Sequence, residues 1–293
     1  DGSSMSRYNL YREGFVFSDG ELFDVEIQGV EEGGQQQYTH MFQSDMQKLF
    51  ASMHDAVATN VLRAVARNLG CQDGDWFANK LGPTEQSSQW HVKRYVCPTA
   101  TADDDMSHHE KNACKECRKE EKGNEDIEWL PVHTDPSLIS IVLHDLPGKR
   151  EGAMGLQYQI PDPSIPSENG LNLRSQKKVW VDVPWHGHAV ATVFVGSVLS
   201  YITGHFYPGA KHRVVYSLPT TDEERDRVAA TLFVRPRGDR MLRVPPSPLL
   251  LATEGTRSPV KIRNTTFDAW LARVSRNYMK GRRKNESKHH VQS

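Results

Sequence analysis

Three side chains far apart in this sequence could hold one metal ion. His133 and Asp135 flank Thr134. In an extended strand side chains repeat with a period of two, so an imidazole and a carboxylate at this spacing share a face. A second imidazole, His212 in His212-Arg213-Val214, would complete a triangle from a facing strand. Two His and one carboxylate on one face leave the opposite coordination positions open. That ligand set suits non-haem Fe(II), which must also bind a cosubstrate and O2. A His-x-Asp triplet says little by itself in a chain with 13 His and 37 acidic residues. Its setting adds weight: the apolar run Ser137-Leu138-Ile139-Ser140-Ile141-Val142-Leu143 follows it, and His212 leads into Val214-Val215-Tyr216.

Those residues need a rigid frame. Residues 13–30 alternate loosely (Phe15, Phe17, Leu22, Val25, Ile27) and read as short strands. From Phe42 to Leu69 apolar residues recur at helical spacing, and Gly70 is placed to end that helix. The Met residues of this stripe read as core filling. Strands are expected at 89–96, 138–144, 155–160, 178–185, 189–203, 212–218 and 227–235. Their spacing and the Pro and Gly punctuation predict two facing sheets, a mainly β double-stranded β-helix or jelly roll with flanking helices. A last helix is expected at 266–280, followed by the basic tail Lys280-Gly281-Arg282-Arg283-Lys284, which reads as a solvated end. One domain is expected. Residues 1–87 give supporting strands and a helix, 88–240 the jelly-roll core with a polar insert at 98–127, and 241–293 a loop, a helix and the tail.

The order of motifs resembles the Fe(II)/2-oxoglutarate-dependent dioxygenases, in particular the isopenicillin N synthase-like branch. The family's His-x-Asp matches His133 and Asp135, and its distal His-Arg-Val matches His212-Arg213-Val214. Its cosubstrate Arg lies in Arg-x-Ser. Arg227-Val228-Ala229, leading to Phe233 and Pro236, fits that place with Ala229 standing where the family has Ser. Arg225 is a competitor for the role. Tyr95, close to Pro98, matches a family Tyr that helps bind the same carboxylate, and Gly155-Leu156-Gln157 also looks familiar. The resemblance implies Fe(II), 2-oxoglutarate and O2 as cofactors, with ascorbate helpful as reductant. His133, Asp135 and His212 would be the catalytic metal ligands, and Arg227 with Tyr95 would bind the cosubstrate. A fixed guanidinium suits a distant carboxylate because it offers a rigid two-donor fork.

Two groups of residues are left over. Cys97 to Ile127 is too polar to be core. It is either a surface loop over the pocket mouth or a small zinc site, with Cys114 and Cys117 at Cys-x2-Cys spacing and Cys97 and His108 or His109 completing the set. His91, Lys93 and Tyr95 share one strand face, so His91 and Lys93 are candidate substrate contacts, as is Phe206 just before His212. A solvent-facing role for the first two is an equal reading. His186 and His188 flank Gly187 in a turn and read as surface residues, and His144 reads as a strand cap.

Composition bounds the partners. Apolar residues make up 37% and charged residues 25%, as in a folded globular domain. A net charge of −1 supplies no field for nucleic acid or an anionic membrane. No apolar stretch approaches a membrane span, and no basic, apolar leader precedes Met5. Four Cys do not make a disulfide framework. The expectation is a cytoplasmic, monomeric enzyme that oxidises a C–H bond of a small molecule by hydroxylation, desaturation or ring closure. A 2-oxoglutarate-independent Fe(II) oxidase of the same fold and a degenerate metal-binding scaffold are the alternatives.

Overall fold

The computed structural model describes residues 12–18, 44–80, 87–95, 127–144, 155–164, 177–184, 190–216, 227–250 and 260–277. Its strands are β1 (Arg12–Ser18), β2 (Gln89–Tyr95), β3 (Ile127–His133), β4 (Ile139–His144), β5 (Leu156–Pro161), β6 (Lys178–Asp182), β7 (Thr192–Val195), β8 (His212–Tyr216) and β9 (Arg227–Val234). They form two antiparallel sheets, a larger one in the order β1-β2-β9-β4-β7 and a smaller one in the order β3-β8-β5-β6. Apart from the consecutive pairs β1–β2 and β5–β6, neighbours in each sheet are non-consecutive strands, as in a jelly roll.

β9 shows how one strand serves two cores. Ala230, Leu232 and Val234 alternate onto the outer face, where they meet the helices. Ala229 belongs to a second cluster between the sheets, with Tyr95, Trp129, Val142, Leu156, Val183, Phe194 and Val214. A strand covered on both faces reads as a continuous apolar run, which is how Val228 to Val234 reads.

The outer face is covered mainly by a helix from 44 to 68. Its middle, Ser52–Ala58, widens into a π-helix before Thr59–Asn68 resumes α geometry. The expected stripe lies on the core side: Met53, Leu62 and Leu69 are buried. Gly70 ends the helix at φ 67°, a left-handed conformation that glycine adopts without strain. A final helix at 267–277 docks through buried Phe267 and Trp270.

Three expectations need correction. The stretch 189–203 is not one strand. β7 ends at Val195, and after Gly196 a short helix, Ser197–Ile202, begins. A Cβ on Gly196 would overlap the Ser137 backbone oxygen, so only glycine lets the chain turn there. β3 is missing from the strands expected above, because Pro131 interrupts its apolar pattern. Finally, the metal triplet does not lie within a strand. His133 closes β3, and Asp135 stands in the connection that crosses to β4 in the other sheet. Pro136 after it cannot supply a ladder N–H. Of residues 13–30, only the part in β1 falls among the described residues.

Candidate metal centre

His133 and His212 are direct partners in the β3–β8 register, so they are neighbours in one sheet and do not face each other across two. Their rings lie 4.2 Å apart. Asp135 is brought between them from the β3–β4 connection. Its Oδ1 is 3.4 Å from Nε2 of His133 and its Oδ2 is 3.6 Å from Nε2 of His212. Among the described residues these three form the group of potential ligands whose donor atoms all lie within 4.8 Å of one another.

The other ring nitrogens fix how the imidazoles are presented. Nδ1 of His133 donates to the Pro131 carbonyl at 2.8 Å, and Nδ1 of His212 donates to the Ala210 carbonyl at 3.0 Å. A carbonyl only accepts, so each Nδ1 carries the proton and each Nε2 turns toward the carboxylate. Two Nε2 lone pairs and a carboxylate would repel unless a cation or proton lay between them. The donor set therefore fits a divalent metal with two nitrogen ligands and one oxygen ligand.

Neighbouring groups hold this geometry. The Asp135 carbonyl accepts from the backbone N–H of Ser197 at 2.8 Å and from its hydroxyl at 2.9 Å. The Ser137 and Ser140 hydroxyls are bonded to each other at 2.8 Å, and Ser140 lies near enough to the Asp135 carboxylate to help hold its pKa down. Phe194 lies flat on the His212 ring, with centroids 4.8 Å apart. Burial pushes the Asp135 carboxyl up, but in the metal-free fold a hydrogen bond from His133 and the charges of His212 and His133, when those rings are protonated, outweigh it. The carboxyl is held below its ordinary value. Burial pushes His212 down. Asp135 opposes this, but His133 adds to it, and the imidazole stays below its ordinary value. An ionised carboxylate beside a neutral imidazole is the state that binds metal.

Residues 112–236 match the family model of the 2OG-Fe(II) oxygenase superfamily. This stretch of the chain, which holds His133, Asp135 and His212, is similar to that superfamily. Solved structures agree on the fold. A full-length Neurospora crassa protein in complex with alpha-KG superposes with a TM-score of 0.59 at 18% identity, over 90% of this chain and 65% of that one. The same protein in complex with alpha-KG and thymine gives 0.60 at 18% identity, over 92% and 66%. The dioxygenase for auxin oxidation of rice gives 0.51 at 18% identity, over 91% and 69%. This chain thus spans just under two thirds of the length of the Neurospora crassa protein and just over two thirds of the rice one. No curated protein matches it significantly by sequence.

Around this centre the other expected residues separate. Tyr95 is buried between the sheets, stacked on Trp129 at 5.5 Å, and stands opposite Arg227 in the β2–β9 register. His91 packs edge-on against Phe233 at 4.7 Å and is half-buried, as is Lys93. Phe206 joins the helix-side core, against Tyr207 at 5.2 Å, and not the inner cluster whose Phe194 stacks on His212. Arg225, His186, His188 and the candidate zinc ligands Cys97, His108, His109, Cys114 and Cys117 lie outside the described residues.

Sequence reasoning missed a row across the larger sheet. Gln89 pairs with Phe233, Phe233 with Ser140, and Ser140 with Phe194. One end of this row stacks on His212, and its Ser140 reaches Asp135. Arg235, two residues beyond Phe233, was also missed. No sequence motif marks it, since its setting depends on strand register.

Proposed function

We propose that this chain oxidises an unactivated C–H bond of a small organic molecule, consuming 2-oxoglutarate and O2 and releasing succinate and CO2. The convergence of His133, Asp135 and His212 at the inner face of the sheets carries the reading. Those three residues would hold Fe(II), whose chemistry when bound is the activation of O2. The protein's own part is to fix the ligands, exclude water and position the substrate. Phe194, Phe233 and the cluster around Tyr95 and Trp129 supply an apolar wall for that purpose. Hydroxylation is the simplest outcome, with desaturation or ring closure open to the same chemistry.

Arg227, with Tyr95, is proposed to hold the far carboxylate of 2-oxoglutarate. Their pairing in the β2–β9 register supports this. Ala229, buried in the inner cluster, offers no hydroxyl to help. That favours a second reading, an Fe(II) oxidase that does without 2-oxoglutarate, as in the isopenicillin N synthase-like branch. A net charge of −1 favours a free small molecule over nucleic acid as partner. The Neurospora crassa protein was solved with alpha-KG and thymine, and a substrate of that scale fits the proposal. A monomer in a reducing cytoplasm completes it.

Anaerobic addition of Fe(II) and 2-oxoglutarate should produce a weak visible charge-transfer band, lost in His133→Ala and His212→Ala. Retention of the band in both variants would overturn the assignment. Losing a buried charge-assisted partner costs roughly 2–5 kcal/mol, so Arg227→Ala should raise the 2-oxoglutarate requirement at least about tenfold. If Arg225→Ala does this instead, the anchor is Arg225. If neither matters and air oxidation forms no succinate, the oxidase reading stands.

A further inference from the structure

We propose that Arg235 anchors a carboxylate of the substrate, so that this chain acts on an organic acid. The inference rests on the reading of the metal centre given above.

Arg235 is a largely buried cation at the inner end of β9. It follows Val234, the last residue of that strand, and its backbone N–H is tied to the Ser88 hydroxyl at 3.1 Å. Its Nη1 donates to Oε1 of Gln89 at 2.6 Å, and the guanidinium lies over the Phe233 ring at 5.2 Å. Gln89 and Phe233 open the cross-sheet row that leads through Ser140 to Asp135 and through Phe194 to His212. Arg235 is thus held one step from the metal ligands, close enough for the Asp135 charge to act on it.

What remains of the guanidinium points to the ligand. Nε is buried and has no hydrogen-bond partner among the described residues. Leaving a buried donor of a charged group unmade is costly, and such a group in a site needs an explanation. Nη1 is used by Gln89, which leaves Nε and Nη2 as a planar pair of donors on one edge. That edge matches the two oxygens of a carboxylate, whereas a single ammonium would match only a point charge. Gln89 and Phe233 fix the fork from one side and from below, so little rotamer freedom is lost on binding. Arg227 lies at the other end of the same strand, so the two arginines would serve different acids. The cosubstrate would reach toward Arg227, and the substrate toward Arg235.

The test uses the full chain loaded anaerobically with Mn(II) and 2-oxoglutarate. Titration calorimetry compares a panel of arylacetates and medium-chain monocarboxylates, each against its own primary amide. At least one acid should bind about tenfold or more tightly than its amide. Arg235→Gln should abolish that preference while metal and 2-oxoglutarate affinities stay within about twofold of the parent. Arg235→Lys keeps the charge and loses the fork, and should retain only a small part of the preference; it also serves if the Gln variant does not fold. If no acid in the panel outbinds its amide, the proposal fails. It fails equally if Arg235→Gln weakens 2-oxoglutarate itself, since Arg235 would then be the cosubstrate's anchor. A parent that binds neither Mn(II) nor 2-oxoglutarate would instead refute the function from which this inference starts.

Discussion

His212 is the residue through which pH should act most directly on this site. In the fold its imidazole titrates below the ordinary 6.5, because burial disfavours the charged form. The unfolded chain takes up a proton at about 6.5 that the folded chain still resists. Stability of the metal-free protein therefore rises with pH through that window and is lost as pH falls below it. Asp135 works at lower pH. Its carboxyl is held below 3.8, so the stability it contributes is present above that value and disappears as pH falls through the folded one. Melting temperatures of metal-free protein between about pH 7.5 and about pH 5.5 check the first point. The decline should be shallower in His212→Gln than in the parent, and parallel curves would refute it. These ligands were legible in sequence because their types and short motifs carry the chemistry. Arg235 was not. It is one of 36 Lys and Arg residues, and only the register that sets it beside Gln89 and over Phe233 makes it distinctive.

At the scale of elements, the turn from β7 into the Ser197–Ile202 helix is what braces the metal loop. Gly196 sits against Ser137, and Ser197 binds the Asp135 carbonyl. Gly196→Ala should force these segments apart, at a cost of about 1–3 kcal/mol. Because Ser137 and Asp135 belong to the same connection, Fe(II) affinity should fall too. Thermal melts and an anaerobic Fe(II) titration on the same variant decide this. A destabilised variant with parental metal affinity would show that the brace is only structural. The strands around this turn were mostly legible, since apolar runs bounded by Pro and Gly mark them. The helix after Gly196 was not, because Val198, Leu199 and Ile202 look equally apolar in a strand or a buried helix. The same limit explains the misplaced triplet. Period two was applied across a point where the chain changes sheets, and nothing local announces that crossing.

Over the whole molecule the two clusters divide the labour. The helix-side core gives stability, and the cluster between the sheets carries the site. Leu62→Ala, at a fully buried position of the outer core, should cost about 2–5 kcal/mol and leave Fe(II) affinity unchanged below the unfolding temperature. Phe194→Ala, at the ring that backs His212, should lower both. Equal loss of metal affinity in the two variants would show the cores to be one unit. The seam between β3 and β8 has a further consequence. Its register slips between Glu128 and Leu130 and again between Leu130 and His133, so the ladder that brings His133 opposite His212 is interrupted. Backbone amides along such a seam open more readily than those of the regular β2–β9 pair. A metal bound by both imidazoles would clamp the two strands where peptide hydrogen bonds are sparse. Amide hydrogen exchange in β3 and β8 should therefore slow sharply when metal is added. Exchange in β2 and β9 should change little. In this protein the metal would close a gap in the sheet as well as serve the chemistry.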